Sequence, residues 1–311
     1  VEAVTAALRE TQLRALSVGL DIGATKTLGL VLDPGGAILA EVREPTEPGA
    51  EGIVRSAARV FEALRVATDQ PLAGTVGVGI PGLVDVERGA VKHAVNLGVN
   101  GEWLPLRELL AERLGVPVVL ENDVNAATLG AAALDDAADL VYLSIGTGLA
   151  AGLMLDGRLR RGEHGAAGEI GHVPVDPQGV VCQCGQRGCL ETIASGSALV
   201  AAWPSGDVPP AQALFAAARS GDPSAIEARD RFARGVASAI RVLSLAVDPA
   251  SIVLGGGVAQ LGDPLRTAVA QALLEQASSS PFLASLDLAG RLRVVPSDYP
   301  VAAVGAAFLG R

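Results

Sequence analysis

The chain has 311 residues, half of them hydrophobic, with 38 glycines and only 3% aromatic residues, the balance of a close-packed α/β protein built from small side chains. That length predicts two lobes rather than one core. Its 24 basic and 34 acidic residues leave a formal charge of −10, which repels a phosphate backbone and excludes nucleic acid as a partner of this segment.

The elements follow in chain order. Residues 3–13 read as a helix within an N-terminal extension or linker remnant, 1–16. Leu16–Asp21 is an apolar strand, and Thr27–Leu32 and Ala37–Val42 are two more, joined by the turn Asp33-Pro-Gly-Gly36. A helix with its apolar face at Ile53, Ala57, Val60 and Leu64 spans Ala50–Ala67. Gly74–Ile80 is a strand, Pro105–Leu114 a helix stopped by Gly115, and Pro117–Leu120 a short strand. The polar run Glu121-Asn-Asp-Val-Asn125 reads as a loop before a small-residue helix, Ala126–Leu134. The second half opens again with strands, Leu140–Ile145 and Ala150–Leu155. A long helix follows at Ala225–Val247, then strands at Ser251–Leu254 and near Leu292–Val295, and a last helix at Val301–Leu309. Two strand-rich starts, each followed by helices, predict two related α/β lobes with a cleft between them. The stretch Leu140–Leu155 is too short and too glycine-broken to span a membrane, and no secretory leader is legible.

All three cysteines fall within eight residues, Cys182-Gln-Cys184-Gly-Gln-Arg-Gly-Cys189, with His172 ten residues upstream. One imidazole and three thiolates are a standard tetrahedral set for structural zinc, and the glycines at 185 and 188 let the backbone fold back on the ion. Three inert buried thiols are the plainer alternative, and a disulfide would strand one sulfur. A thiolate site with so few cysteines fits the reducing cytoplasm. Four protein ligands leave no open position, so the ion is scaffolding that holds Glu169, His172 and Glu191 in one polar region.

Four glycine-bearing loops follow apolar strands. Gly77-Val-Gly-Ile-Pro-Gly82 matches the dinucleotide spacing, but its glycines lie inside the strand and Pro81 interrupts, so that reading is rejected. Asp21-Ile-Gly-Ala-Thr-Lys26, Ser144-Ile-Gly-Thr-Gly148 and Leu254-Gly-Gly-Gly257 each suit either a tight turn or a phosphate cradle. Together, with Asp21 and Lys26 in the first, they favour a nucleotide.

These motifs, in this order and over nearly the whole chain from about residue 16, resemble the ROK family of bacterial sugar kinases and sugar-responsive repressors. The resemblance implies a duplicated actin-like ATPase fold of the hexokinase, ribonuclease H-like type. Its lobes would comprise 17–125 plus 298–311, and 126–297. It implies Mg2+-ATP as donor, a hexose as acceptor, a structural Zn2+ and a homodimer. Position by position, Asp123 matches the catalytic base. Asn122, Glu169, His172 and Glu191 match sugar-hydroxyl binders, with Gly82 and Asn96 as weaker sugar contacts. Asp21, Gly23, Ala24, Thr25 and Lys26 match one phosphate loop, and Gly146, Thr147 and Gly148 the other; Gly256 and Gly257 match the stretch against adenosine. The departures are Ala24, where glycine is commoner, and Leu149-Ala-Ala-Gly152, where the family is richer in glycine. Asp123 equally suits a helix cap, a job compatible with catalysis. The expected activity is phosphoryl transfer to glucose or an N-acetylhexosamine. The alternative is the sugar-sensing part of a ROK-type repressor.

Overall fold

The computed structural model describes residues 16–68, 70, 72 and 74–311. The helix expected over 3–13 lies outside the described residues. The chain divides into two compact units, one taking the chain up to Leu134 together with Pro300–Arg311, the other Asp135–Tyr299.

The first unit is built on a sheet whose opening strands β1 (Ser17–Ile22), β2 (Lys26–Leu32) and β3 (Ile38–Pro45) form an antiparallel meander. After helix α1 (Ala50–Ala67) comes β4 (Val76–Ile80), and then a separate hairpin, β5 (Leu83–Asp85) with β6 (Ala90–Lys92). Helix α2 (Leu106–Leu114) leads to β7 (Val118–Asn122) and α3 (Asp123–Asp135). β4 and β7 join in parallel beside β1, giving the order β3-β2-β1-β4-β7. β1 and β4 are buried along almost their whole length, which is why both read as nearly continuous apolar runs.

Side-chain alternation sends successive residues of β1 to opposite faces. The Leu20 face, shared with Gly29 of β2, takes α1 through Val60 and Leu64. The Gly19 face, shared with Gly77 of β4, takes the C-terminal helix Val301–Leu309. A Cβ on Gly19 or Gly77 would fall inside the carbonyl oxygens of Ala303 and Ala306, so glycine lets that helix lie directly on the sheet backbone. This also explains the G-x-G spacing at 77–79, which serves helix packing.

The second unit repeats the plan. β8 (Leu140–Ile145), β9 (Leu149–Leu155) and β10 (Arg158–Leu159) form an antiparallel meander. Helices α4 (Glu191–Ala194), α5 (Gly196–Ala202), α6 (Pro210–Arg219) and α7 (Pro223–Val247) precede β11 (Ser251–Gly255). Then come α8 (Asp263–Ala277), α9 (Pro281–Ser285) and β12 (Leu292–Val294). The order β10-β9-β8-β11-β12 matches that of the first sheet strand for strand. The core here has Phe232, Val236, Ile240 and Leu243 of α7 packed with Val141, Leu143 and Leu254 of the sheet. Asp222 caps α7 by accepting from the N–H groups of Ser224 at 2.9 Å and Ala225 at 3.0 Å, so the helix begins two residues before its apolar stripe. Among the described residues no helix is long and apolar enough to cross a membrane.

Three features differ from the sequence reading. The division falls at 134/135 and 299/300, because α3 packs within the first unit, where Gly130 lies against Val301 and Gly305 against Ala126. The run Glu121–Asn125 is the end of β7 and the start of α3 rather than a loop. The hairpin β5–β6 and helices α6 and α8 are additional elements; of these the hairpin strands are too short, and α8 too weakly amphipathic, to carry a strong periodic signal.

Candidate active site

In the first unit the residues singled out from sequence sit at the carboxyl ends of the parallel strands β1, β4 and β7, where open α/β sheets bind ligands. The register places Asp21, Gly79 and Glu121 side by side across β1, β4 and β7. The turn between β1 and β2 is closed by the Gly23 N–H donating to Lys26 O at 2.9 Å, and it holds Ala24, Thr25 and Lys26 exposed. Thr25 O accepts from the Thr46 N–H at 3.2 Å, which ties the turn to the end of β3.

Asn122 closes β7 and sets the start of α3. Its Oδ1 accepts from the N–H groups of Val124 at 2.9 Å and Asn125 at 3.2 Å, and its Nδ2 donates to Gly82 O at 3.1 Å. Asn122 is therefore the helix cap, and Asp123, whose Oδ1 accepts from the adjacent Val124 N–H at 2.9 Å, is the first residue of α3. A carboxylate in the first turn also faces the positive end of the helix dipole. Beneath it, Glu121 is buried and accepts from the Asn122 N–H at 2.9 Å and from Asn125 Nδ2 at 3.0 Å. Glu121 is not among the sequence candidates, because the burial that marks it is visible only in the structure.

The Asp21 residue is partly exposed while its carboxyl is enclosed. Burial first, and then the charge of Asp123, push its pKa up to about 7, with Lys26 acting in the opposite sense. Asp21, Lys26, Asn122, Asp123 and Gly82 are thus one cluster. Gly82 has φ of 106°, and a Cβ there would lie 2.7 Å from Lys92 O, so glycine is required where β4 turns into the hairpin. Asn96 stands exposed on the 3-10 turn Val95–Leu97 that comes after the hairpin.

In the second unit the glycine turn between β8 and β9 is closed by the Gly146 N–H donating to Gly148 O at 3.1 Å. The backbone at Gly146 and Gly257 faces open space, whereas a Cβ on Gly148 or Gly256 would strike Glu191 or the backbone of Ile145. The first pair leaves room for a ligand to approach main-chain N–H groups; the second serves packing.

His172 closes a 3-10 turn and its Nδ1 lies 3.8 Å from Cys182 Sγ, while Cys184 Sγ and Cys189 Sγ are 3.7 Å apart. A tetrahedron with Zn–S bonds of 2.3 Å has edges of about 3.8 Å. The four ligand atoms all lie within 4.8 Å of one another, so the donor set and its spacing fit zinc. Gln186 donates through its backbone and side-chain N–H groups to Cys184 and pulls that thiol down to about 6, while burial pushes Cys189 up to about 12. The other imidazole nitrogen, Nε2, faces Glu169 Oε2 at 3.9 Å. Glu191 Oε1 lies 3.9 Å from Cys182 Sγ and its Oε2 accepts from the Leu149 N–H at 3.0 Å. Glu169, His172 and Glu191 are therefore gathered around the four-ligand knuckle.

A meander of three strands followed by two parallel strands, made twice in one chain with glycine turns at equivalent strand ends, is the actin-like ATPase fold. Within that class the chain belongs to the ROK family, whose family model matches residues 17–307. It is 35% identical over 270 residues to the glucokinase of Streptomyces coelicolor, covering 80% of this chain and 84% of that one. The solved ROK glucokinase of Streptomyces griseus, in complex with glucose and AMPPNP, is 32% identical, with a TM-score of 0.77, covering 96% of this chain and 99% of that one. A ROK family transcriptional regulator, a homologue of the E. coli MLC protein, matches at 26% identity and a TM-score of 0.76, covering 96% of this chain and 78% of that one.

Proposed function

We propose that this chain is an ATP-dependent sugar kinase that transfers the γ-phosphoryl group of Mg2+-ATP to a hexose hydroxyl of the glucose or N-acetylhexosamine type. The observation that carries the reading is the cluster at the strand ends of the first unit. An acid at the start of a capped helix, Asp123, stands beside a second enclosed acid, Asp21, and a lysine-bearing glycine turn.

Asp123 is the base. It takes the proton of the attacking hydroxyl as that oxygen forms its bond to phosphorus and the bond from phosphorus to the ADP oxygen breaks. Asn122, locked by its cap bonds and by Gly82 O, keeps the carboxylate of Asp123 aimed and offers its amide to the sugar. Asp21 is the carboxylate that would hold Mg2+, since a cation offsets both the burial and the Asp123 charge that raise its pKa. Mg2+ when bound supplies neutralisation of the phosphate charge. Lys26 and the turns 23–25 and 146–148 bind phosphates, and Gly256 and Gly257 lie against adenosine.

Glu169, His172 and Glu191 bind sugar hydroxyls. A structural Zn2+ on His172, Cys182, Cys184 and Cys189 supplies rigidity, with His172 using Nδ1 for the metal and leaving Nε2 for Glu169 and the sugar. Gly82 and Asn96 add weaker sugar contacts. The same family likeness carries a homodimer, which light scattering of the purified chain tests, and a cytoplasmic location.

The test is an ATP-coupled assay across a panel of hexoses. Turnover of at least one hexose is the expected result. Tight sugar binding with no turnover anywhere in the panel would instead establish a sugar sensor. That second reading is favoured by the likeness to the ROK regulator. Asp21, Thr25, Lys26 and Asp123 all being present argues for the kinase.

A further inference from the structure

We propose that Glu191 is a positioning residue for the nucleotide turn, and that the zinc knuckle acts on nucleotide binding, as well as on sugar, through the segment Cys189–Ser197. The inference rests on the kinase reading only for what occupies the turn.

Three hydrogen bonds carry it, all within the second unit. Glu191 Oε2 accepts from the Leu149 N–H at 3.0 Å, the residue directly after the turn Gly146-Thr147-Gly148. The Gly196 N–H donates to Gly146 O at 2.7 Å, and the Ser197 N–H donates to Thr147 O at 3.1 Å. Two carbonyls of the turn and the amide after it are thus all held from one short stretch. Its start is Cys189, a fully buried member of the four-ligand set, two residues before Glu191. The stretch is tied to itself: the Thr192 and Ala194 N–H groups bond back to Cys189 O and Leu190 O at 3.0 and 2.9 Å. Buried Ser195 then caps α5 by accepting from the Ala198 N–H at 3.1 Å.

The direction of the effect is set by the demands on the turn. Its carbonyls must point away from a phosphate and its N–H groups toward it. Bonds to Gly146 O and Thr147 O occupy those carbonyls from the protein side and fix the peptide planes. Gly148 completes the fit, since any Cβ there would displace the Glu191 carboxylate. Gly171, beside the knuckle, is kept bare for the same reason, because a Cβ would fall inside Leu149 O. Glu191 has its other oxygen 3.9 Å from Cys182 Sγ, so the carboxylate lies between the four-ligand set and the turn. Loss of the ion therefore loosens the turn as well as the sugar binders.

The experiment titrates AMPPNP, without sugar, into wild type, Glu191→Ala, Glu191→Gln and zinc-stripped wild type, and follows amide exchange in the same four samples. Glu191→Ala is expected to weaken AMPPNP about tenfold, the loss of a hydrogen bond to a charged group. Glu191→Gln, which keeps an acceptor oxygen, stays within about threefold of wild type for the same reason. Zinc stripping shifts the affinity in the same direction as Glu191→Ala. Protection of the Leu149, Gly196 and Ser197 amides falls in both. Unchanged affinity and protection in Glu191→Ala, or Gln as impaired as Ala, overturns the proposal. The stripped wild type decides the matter if the alanine variant misfolds, unchanged protection at Leu149 being the overturning result. If wild type binds no AMPPNP but Leu149 loses protection on stripping, the kinase reading falls and the tie between knuckle and turn stands.

Discussion

The two units share one strand order and use it differently. Both place a glycine turn after the first strand, at 23–25 and at 146–148, and both follow the fourth strand of the order with a glycine of positive φ, Gly82 at 106° just beyond β4 and Gly256 at 81° directly after β11. In the first unit the strand ends carry charge: Asp21, Lys26 and Asp123. In the second the turn itself is uncharged and is pinned by Glu191 beside the donor set His172, Cys182, Cys184 and Cys189. Asp123, at the start of the helix after β7, has no counterpart after β12, where the chain runs through Val295-Pro296-Ser297 to an exposed Asp298. On the proposed reading, duplicated topology supplies equivalent places for backbone to meet phosphate, with the reactive groups in the first unit and the pinned turn in the second.

That division can be broken in order of expected effect. Asp123→Asn keeps the helix start, because Asn122 is the cap, and should lower kcat by about a thousandfold while AMPPNP and sugar still bind. Steady-state kinetics with binding titrations check this; near-normal turnover would remove the base from the first unit. Cys184→Ser should release the metal and lower the unfolding temperature by about 5 °C or more, through loss of a folding-coupled ion. Calorimetry with metal analysis reads it, and a metal-free wild type of unchanged stability would deny the second unit its role as the rigid partner.

Glycine substitutions sharpen the contrast between packing and access. Gly77→Ala drives a Cβ into the Ala306 carbonyl and should cost about 1–3 kcal/mol by denaturant unfolding. Gly257→Ala, which faces open space, should leave stability within about 0.5 kcal/mol of wild type and weaken only the nucleotide. A further effect is in pH. With its pKa raised to about 7, Asp21 keeps its proton in the folded chain after the unfolded chain has released it. The stability this contributes is therefore full below about pH 4 and is lost as pH rises through about 7. Asp21→Asn removes that dependence, so its unfolding midpoint relative to wild type should be higher at pH 8 than at pH 5. An equal difference at the two pH values would mean that the Asp21 carboxyl is solvated like any surface acid.

Much of the fold was legible because its signals are local. Val18, Leu20 and Ile22, or the stripe Phe232, Val236, Ile240 and Leu243, declare their elements by period alone. The helix α3 starts three residues earlier than its period indicates, because its start depends on Asn122 accepting two backbone N–H groups, bonds that periodicity does not record. The zinc-ligand set could be proposed from residue type and spacing, since few other arrangements of three thiols and an imidazole make chemical sense. The buried Glu121 and the bond from Glu191 to Leu149, 42 residues away, could not.

By itself the amino-acid order determined the paired α/β plan and the ROK motifs. The reason is that hydrophobic period, turn residues and ligand chemistry are properties of neighbours along the chain. Only the tertiary structure decided which glycines make room for a ligand and which for a helix, and which asparagine caps. It alone put Glu191 on the amide that follows the turn 146–148. Those outcomes depend on distances between residues far apart in the chain, and packing sets such distances.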